Sequence, residues 1–415
     1  MATRAIVLRE QEQLNEADYE FVKTLNLDYP SREYEGIPPF LGLNSDGWSS
    51  YYVGVSWLKN SVRPLVVHPK IPNIDFLNIL SAALSNNVNP KYFEGAYSIN
   101  LDSPLIEDEA LNTVLSPLLI AHFISIMRIL LGKGLKRNYI IREENLKNKV
   151  RGHIMPLRNL QKNILRGHAE QTWCRFQEYT YDYPENRLLK RGLLASESYL
   201  LSLKAQNDTL LQLVRKLLFA FSNVSADITP TAVKSVRNDK LHGEYPEAIK
   251  LAKRILKRTD YSINKLSTQS NKVPEFAIDM SRIFEFHVLG FLQRHYKDKK
   301  ILFQEDAGIM GRCDYIIPFC KLIVDAKYKL NFLNKDDKSL RTDIREVVGY
   351  SRSEKIRKIM DVSENEVVHC LIIYPTSPCE KAKEPEDEDI LNSAEPMKGV
   401  NNFFTLKIPI PEIQT

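Results

Sequence analysis

The sequence predicts an α/β and α+β multidomain chain. A β-rich N-terminal domain spans residues 1–110, a helical, basic middle spans 111–270, and a C-terminal mixed sheet flanked by helices spans 271–415. Three observations predict this. Short β-branched runs mark the first part, apolar residues three and four apart mark the second, and the order α-β-β-β-α-β marks the third. A chain of 415 residues is long enough for two or three separate cores.

In the first part, Arg4–Arg9, Ser50–Trp57 and Pro64–His68 read as strands, and Asp75 opens a helix through Ala83. The Gly-, Pro-, Ser- and Asn-rich segment Asp28–Asp46 reads as loop. In the middle, Leu115–Gly132 reads as a helix ended by Gly132 and Gly134. Leu188–Ala205, Leu210–Phe221 and Pro246–Arg258 read as further helices, with Pro246 placed in a first turn. In the last part, Pro274–His295 reads as a helix, Ile301–Gln304 as a strand and Thr342–Lys358 as a helix. Val367–Pro375 is a strongly apolar strand, Glu380–Glu395 an acidic exposed loop, and Phe403–Pro409 the closing strand.

Composition narrows the class. The five scattered cysteines make no C-x-x-C pair, which argues against zinc and disulfides and for a reducing, cytoplasmic setting. The N-terminus lacks an apolar signal region. The most apolar run, Leu115–Leu131, contains Pro117, His122 and Arg128 and reads as a buried helix, so no membrane partner is expected. A net charge of +5 alone does not imply nucleic acid. Its distribution is more telling, with twelve Lys/Arg against three Asp/Glu between Arg128 and Arg175 and a second basic run, Lys250–Arg258. Such runs are either solvated faces or tracks for a DNA backbone; Arg151, Arg158, Lys162 and Arg166 are the candidate phosphate contacts.

The chemistry concentrates in Gly308–Lys329. Ile316-Ile317 and Leu322-Ile323-Val324 are strand-length apolar runs joined by Pro318–Lys321, which suits a hairpin turn. A two-residue period sends Asp325 and Lys327 to one face and brings Asp314 close across the ladder. On an ordinary exposed strand, Asp325 and Lys327 are only a same-face ion pair. With Asp314 beside them, two carboxylates and a lysine at one sheet end suit a divalent ion next to a general base, as in phosphodiester cleavage. Glu285 lies on the preceding helix. His153, His168 and His287 have no partner pattern, and Gly132–Lys136 lacks the spacing and hydroxyl of a nucleotide-binding loop.

These features together resemble the McrC family, the nuclease subunit of modification-dependent McrBC restriction systems. The resemblance runs through Gly134–Asn145, Val150–Ile154, Phe176–Lys190, Ala277–Glu285, the hairpin, Asp343–Tyr350 and Leu371–Pro375 in that order. It implies a C-terminal PD-(D/E)xK nuclease in which Asp314, Asp325 and Lys327 match the two acids and the lysine, and Glu285 the helix acid. Cys313 stands where the motif has proline. Glu346 stands where relatives tend to carry glutamine, and it is left out of the site. The implied cofactor is Mg²⁺, held by Asp314, Asp325 and the Ala326 carbonyl, with Lys327 orienting or deprotonating a water. The implied partners are double-stranded DNA and a McrB-like AAA+ GTPase, docked by residues 1–110. A non-cleaving bridging subunit that activates the GTPase, and a different PD-(D/E)xK restriction or repair nuclease, are the alternatives.

Overall fold

A computed structural model of the chain describes residues 5–29, 37–59, 63–84, 92–93, 95–100, 102–202, 208–233, 242–263, 272–297, 299–330, 332, 338–376 and 389–412. It divides into two compact units, residues 1–121 with 267–415, and residues 122–266. The segments expected as separate N- and C-terminal domains therefore form one unit, and the middle is an insertion between them.

The first unit opens with β1 (Ile6–Arg9), α1 (Glu16–Thr24), β2 (Tyr52–Trp57), β3 (Pro64–His68), α2 (Phe76–Leu84), β4 (Tyr97–Asn100) and β5 (Ile106–Glu107). The three expected strands are present as β1, β2 and β3 and the helix expected from Asp75 as α2, whereas α1, β4 and β5 were not expected. Helix α3 (Glu109–Gly132) follows, six residues longer at its start than expected, with Pro117 inside it. It is the one helix among the described residues long and apolar enough to cross a membrane, and most of that stretch is buried in the protein. The inserted unit carries β6 (Asn138–Lys147), β7 (His153–Ile154), α4 (Pro156–Lys162), β8 (Gln171–Thr180), α5 (Pro184–Ser202), α6 (Asp208–Phe219) and α7 (Tyr245–Ile263).

The middle is thus not wholly helical. Residues 138–180 hold a three-stranded antiparallel sheet, ordered β6-β8-β7, before the helices begin. Its strands are polar and half-exposed on both faces, so they lack the apolar alternation that marks a strand in sequence. Only Leu146, Cys174 and Phe176 make its small buried cluster. The α5, α6 and α7 expectations are sound, with ends shifted by a few residues.

The chain then returns to the first unit with β9 (Lys272–Val273), β10 (Glu275–Asp279), α8 (Met280–His295), β11 (Leu302–Asp306), β12 (Arg312–Ile317), β13 (Leu322–Ala326), α9 (Lys338–Arg352), α10 (Glu354–Ile359), β14 (His369–Pro375), β15 (Glu395–Pro396) and β16 (Phe403–Ile408). The helix expected from Pro274 starts only at Met280. Residues 275–279 form β10, which lies between β2 and β4 in the N-terminal sheet, ordered β1-β3-β2-β10-β4. At Gly54 of β2 the Phe276 carbonyl oxygen would stand 2.1 Å from any Cβ, so only glycine admits β10 at that distance. The expected single helix over Thr342–Lys358 is two, broken at Ser353, whose Oγ caps the second. Most of the acidic loop Glu380–Glu395 lies outside the described residues.

The second sheet runs β11-β12-β13-β14-β16-β15, antiparallel at its first two pairs and parallel across β13-β14-β16. Helix α9 covers one face, placing Val347 and Tyr350 in a core with Ile316, Ile323 and Ile372. On the other side of β12, the Tyr315 hydroxyl donates to the Glu285 carbonyl at 2.5 Å, which ties α8 to the sheet.

Candidate active site

The hairpin forms as the sequence requires. β12 and β13 pair antiparallel with Tyr315 opposite Val324 and Ile317 opposite Leu322. Pro318–Cys320 makes one tight turn, and Lys321 closes it in the left-handed conformation at φ 50°. Leu322, Ile323 and Val324 are fully buried, so Asp325 emerges from the centre of the sheet and is itself only 2 % exposed. Lys327 donates its backbone N–H to Ile373 on β14 at 2.9 Å. Strand alternation therefore turns the peptide groups of Ala326 toward β12. There the Ala326 N–H donates to Asp314 Oδ2 at 2.9 Å, and its carbonyl faces the same edge.

The expected catalytic residues converge. Lys327 Nζ lies 3.0 Å from Asp325 Oδ2 and 3.0 Å from Glu346 Oε2. Gln304 Nε2 donates both to Asp314 Oδ1 and to Glu285 Oε2, each at 2.9 Å. Glu285 is carried by α8, whose start is fixed by Asp279 accepting from the backbone N–H groups of Ser281 and Arg282. The helix acid, both hairpin acids and the lysine are thus one connected cluster.

Burial sets its electrostatics. It lifts Asp314 to about 8, with the Glu285 charge adding to the effect. It lifts Glu285 to about 7, helped by Asp279 and Asp325. Asp325 is pushed well above the usual carboxylate range by burial and by Asp314. Burial also works against the Lys327 charge, but Asp325 and Glu346 outweigh it and raise its pKa. The carboxylates on either side thus favour the charged form of Lys327.

Three residues of the cluster were not among the expected ones. Glu346, set aside because glutamine is usual there, is the second carboxylate on Lys327. Tyr350, one turn further along α9, donates to Glu346 Oε1 at 2.8 Å. That i, i+4 spacing was readable, but nothing local connects it to Lys327. Gln304 gave no sequence signal at all. Its backbone sits at φ 56°, in the left-handed region that a non-glycine residue rarely adopts. Its neighbours Phe303 and Glu305 keep their ladder pairs with Tyr315 and Cys313. This local strain aims its amide between two acids.

A strut from the N-terminal sheet reaches the same strand end. Glu10, 2 % exposed at the end of β1, accepts from the Tyr328 hydroxyl at 2.8 Å and from the Lys70 N–H at 2.9 Å. Lys70 Nζ lies 3.7 Å from the Tyr328 ring centre and donates to the Tyr328 carbonyl at 3.0 Å. Tyr328 follows Lys327 directly, so β1 and β3 brace the candidate lysine. Glu10→Ala strands the Tyr328 hydroxyl and the Lys70 N–H, and is expected to lower unfolding free energy by about 2 kcal/mol. Urea denaturation measures this, and an unchanged midpoint contradicts the strut.

Among the described residues no three His, Cys, Asp or Glu side chains converge into a ready-made metal cage. The donors present still suit Mg²⁺, which needs few protein oxygens and keeps its waters. Buried acids held above their ordinary pKa values are short of positive charge, and a cation among them supplies it.

The family model for the McrBC 5-methylcytosine restriction system component matches residues 50–358. This chain belongs to the McrBC family. No curated protein matches it. Among solved structures, it is similar to a chain in a half-complex from a tetradecameric assembly of Thermococcus gammatolerans McrB AAA+ hexamers with bound McrC, at 15 % identity. That match covers 98 % of this chain and 94 % of the other, with a TM-score of 0.40. A second match, to the Thermococcus gammatolerans McrBC complex, has 16 % identity, covers 72 % and 89 % of the two chains and has a TM-score of 0.30.

The expected DNA contacts of this McrBC-family chain lie apart from the cluster in chain position, all in the inserted unit. Arg151, Arg158, Lys162 and Arg166 are exposed there. Arg151 stacks over the Phe176 ring at 4.3 Å. Arg158 stacks over Trp173 and pairs with Glu143, which Arg175 also binds. Arg158 is therefore already partly neutralised, whereas Lys162 and Arg166 end α4 and the turn after it. His153 and His168 are exposed, while His287 is buried against the Pro409 carbonyl at 2.7 Å. None of the three touches the cluster in any contact described above.

Proposed function

We propose that this McrBC-family chain is the cutting subunit of a modification-dependent restriction complex, a Mg²⁺-dependent endodeoxyribonuclease of PD-(D/E)xK type. The observation that carries the reading is the meeting of Asp314, Asp325, the Ala326 peptide and Lys327 at one sheet end. Asp314, Asp325 and the Ala326 carbonyl would hold Mg²⁺. When bound, that ion lowers the pKa of a water and offsets charge on the phosphate. Lys327, kept cationic by Asp325 and Glu346, orients the water or a phosphate oxygen. Gln304 holds Glu285 and Asp314 at a fixed spacing through one amide. Hydrolysis then joins the water oxygen to phosphorus and releases the sugar oxygen with a proton.

The proposed partner is a McrB-like AAA+ GTPase, and residues 1–110 were the expected docking part. A second reading of the docking surface has its own support. The inserted unit exposes Tyr139, Ile141 and Tyr179 on its sheet and Leu157, Ile164 and Leu165 on α4 and the turn after it. The Tyr139 and Tyr179 rings meet across β6 and β8 with centres 4.8 Å apart. An exposed apolar pair of this kind on a strand face suits a protein contact.

The test uses purified chain, methylated and unmethylated plasmid, Mg²⁺ and GTP, with and without the AAA+ protein. The expected result is cutting of methylated plasmid only with the partner and GTP. Cutting by the chain alone favours a stand-alone nuclease. Stimulated GTP hydrolysis with intact DNA favours a bridging subunit. In the same preparation, Leu157→Ser with Leu165→Ser is expected to weaken co-purification with the motor.

A further inference from the structure

We propose that the tip of the β11–β12 hairpin, Gly308–Gly311, is an apolar wedge that enters a groove of duplex DNA beside the cutting site; this rests on the nuclease reading above. Ile309 is 99 % exposed and Met310 43 %. The turn that presents them is tied down. Gly308 N donates to Asp306 Oδ1 at 2.8 Å, Ala307 N to the Gly311 carbonyl at 2.8 Å and Gly311 N to the Gly308 carbonyl at 3.1 Å. Gly308 and Gly311 have φ of 72° and 92°, and a Cβ on either would meet nothing within 4 Å. Backbone conformation, and not space, calls for glycine at both ends of the Ile-Met pair. From the α9–α10 corner, Ser353 Oγ donates to the Ala307 carbonyl at 3.0 Å.

A single exposed isoleucine is ordinary on a protein surface. This one is set apart by its place. The two arms of its hairpin carry Gln304 and Asp314, and Asp314 lies three residues past Gly311, about 10 Å along an extended strand. That is about three steps along a DNA strand. Exposed cations lie at the foot of the tip, with Arg312 on β12 and Arg352 at the α9–α10 corner. Lys355 at the same corner is paired with Asp306 of the hairpin, and each partly neutralises the other. A stiff apolar point above a cationic base complements a groove whose walls are phosphates and whose floor is stacked bases. Inserting such a side chain at a base step unstacks it and bends the duplex. A protein partner would also accept isoleucine, but it would not need the arginines or the nearness of Asp314.

The test is made on the full chain with Ca²⁺ in place of Mg²⁺. Binding is measured to a short methylated duplex with 2-aminopurine at successive steps, and to the same duplex with a central unpaired base. Ile309 touches nothing that folding requires, so Ile309→Ser isolates the contact. The expected result is about a tenfold weaker hold on the intact duplex and loss of the 2-aminopurine rise. The pre-unstacked duplex should bind within about twofold of wild type, and Ile309→Leu should behave as wild type. Unchanged duplex binding, equal loss on both duplexes, or loss only of motor or self-association each overturns the wedge. Plasmid cutting with Mg²⁺, the AAA+ protein and GTP separates the two readings. If wild type cuts there and Ile309→Ser cuts and unstacks equally well, the wedge alone fails. If wild type does not cut methylated plasmid even with Mg²⁺, the AAA+ protein and GTP, the nuclease reading fails, and the wedge with it.

Discussion

Asp325→Ala is expected to reduce DNA cutting by about a thousandfold or more and Lys327→Ala by about a hundred- to a thousandfold, while the purified chain still folds and binds the proposed partner. The size follows from the roles assigned. Asp325 is one of the two carboxylates proposed to hold Mg²⁺, and a lost metal ligand would remove several kcal/mol of charge stabilisation. Among the described residues Lys327 is the one cation that pairs with both Asp325 and Glu346, and loss of a single preorganised electrostatic contact of this kind costs about a hundred- to a thousandfold. The folding half of the expectation separates catalysis from scaffolding. Asp325 is buried and held above its ordinary pKa by burial and by Asp314, so the fold gains little from its charge. Asp325→Asn should unfold at or above the wild-type temperature, since it relieves a crowded set of buried acids. Retained cutting by either alanine variant, with motor and GTP present, removes these residues from the mechanism.

The second large effect is on stability. Asp314 titrates near 8 in the folded chain against 3.8 for a free group, and Glu285 near 7 against 4.5. Between those limits the folded state holds protons that the unfolded state has released. Their contribution to stability is fully present below about pH 4 and is lost as pH rises through 7 and 8. Without metal, the melting temperature should fall by about 5 °C between pH 5.5 and 8.5. Asp314→Asn should flatten that slope. Mg²⁺ should restore more at pH 8.5 than at 5.5, because it competes with those protons. Differential scanning fluorimetry across the range reads all three, and a melting temperature that rises with pH in metal-free buffer contradicts the cluster's electrostatics.

The hairpin was legible because everything it needs is local. Two apolar runs, a proline turn and a two-residue period fix which side chains share a face, and Asp314, Asp325 and Lys327 follow. Residues whose position depends on distant partners were not legible. Glu275–Asp279 was read as the start of a helix because its strand partners, Tyr52–Val55 and Tyr97–Asn100, lie far away in the chain. The sheet of residues 138–180 was missed because neither face is dry enough to show an alternating pattern. Glu346 was set aside by comparison with a family pattern, whereas its contact with Lys327 arises only when α9 packs across the sheet. Gln304 depends on a left-handed backbone that glutamine gives no hint of. The Glu10–Tyr328 strut joins residues 318 positions apart. The chemistry was written in one short stretch, and the support for it was spread along the chain.

The central claim is that Asp314, Asp325 and the Ala326 carbonyl form a Mg²⁺ site. Calorimetric titration of Mg²⁺ into the full-length chain at pH 7, in two buffers of different ionisation enthalpy, tests it without relying on activity. One site per chain is expected, with proton release from the raised carboxyl groups and with loss of binding in both Asp314→Asn and Asp325→Asn. Mg²⁺ binding of equal strength and equal proton release in wild type and both variants would place the metal elsewhere and contradict the account.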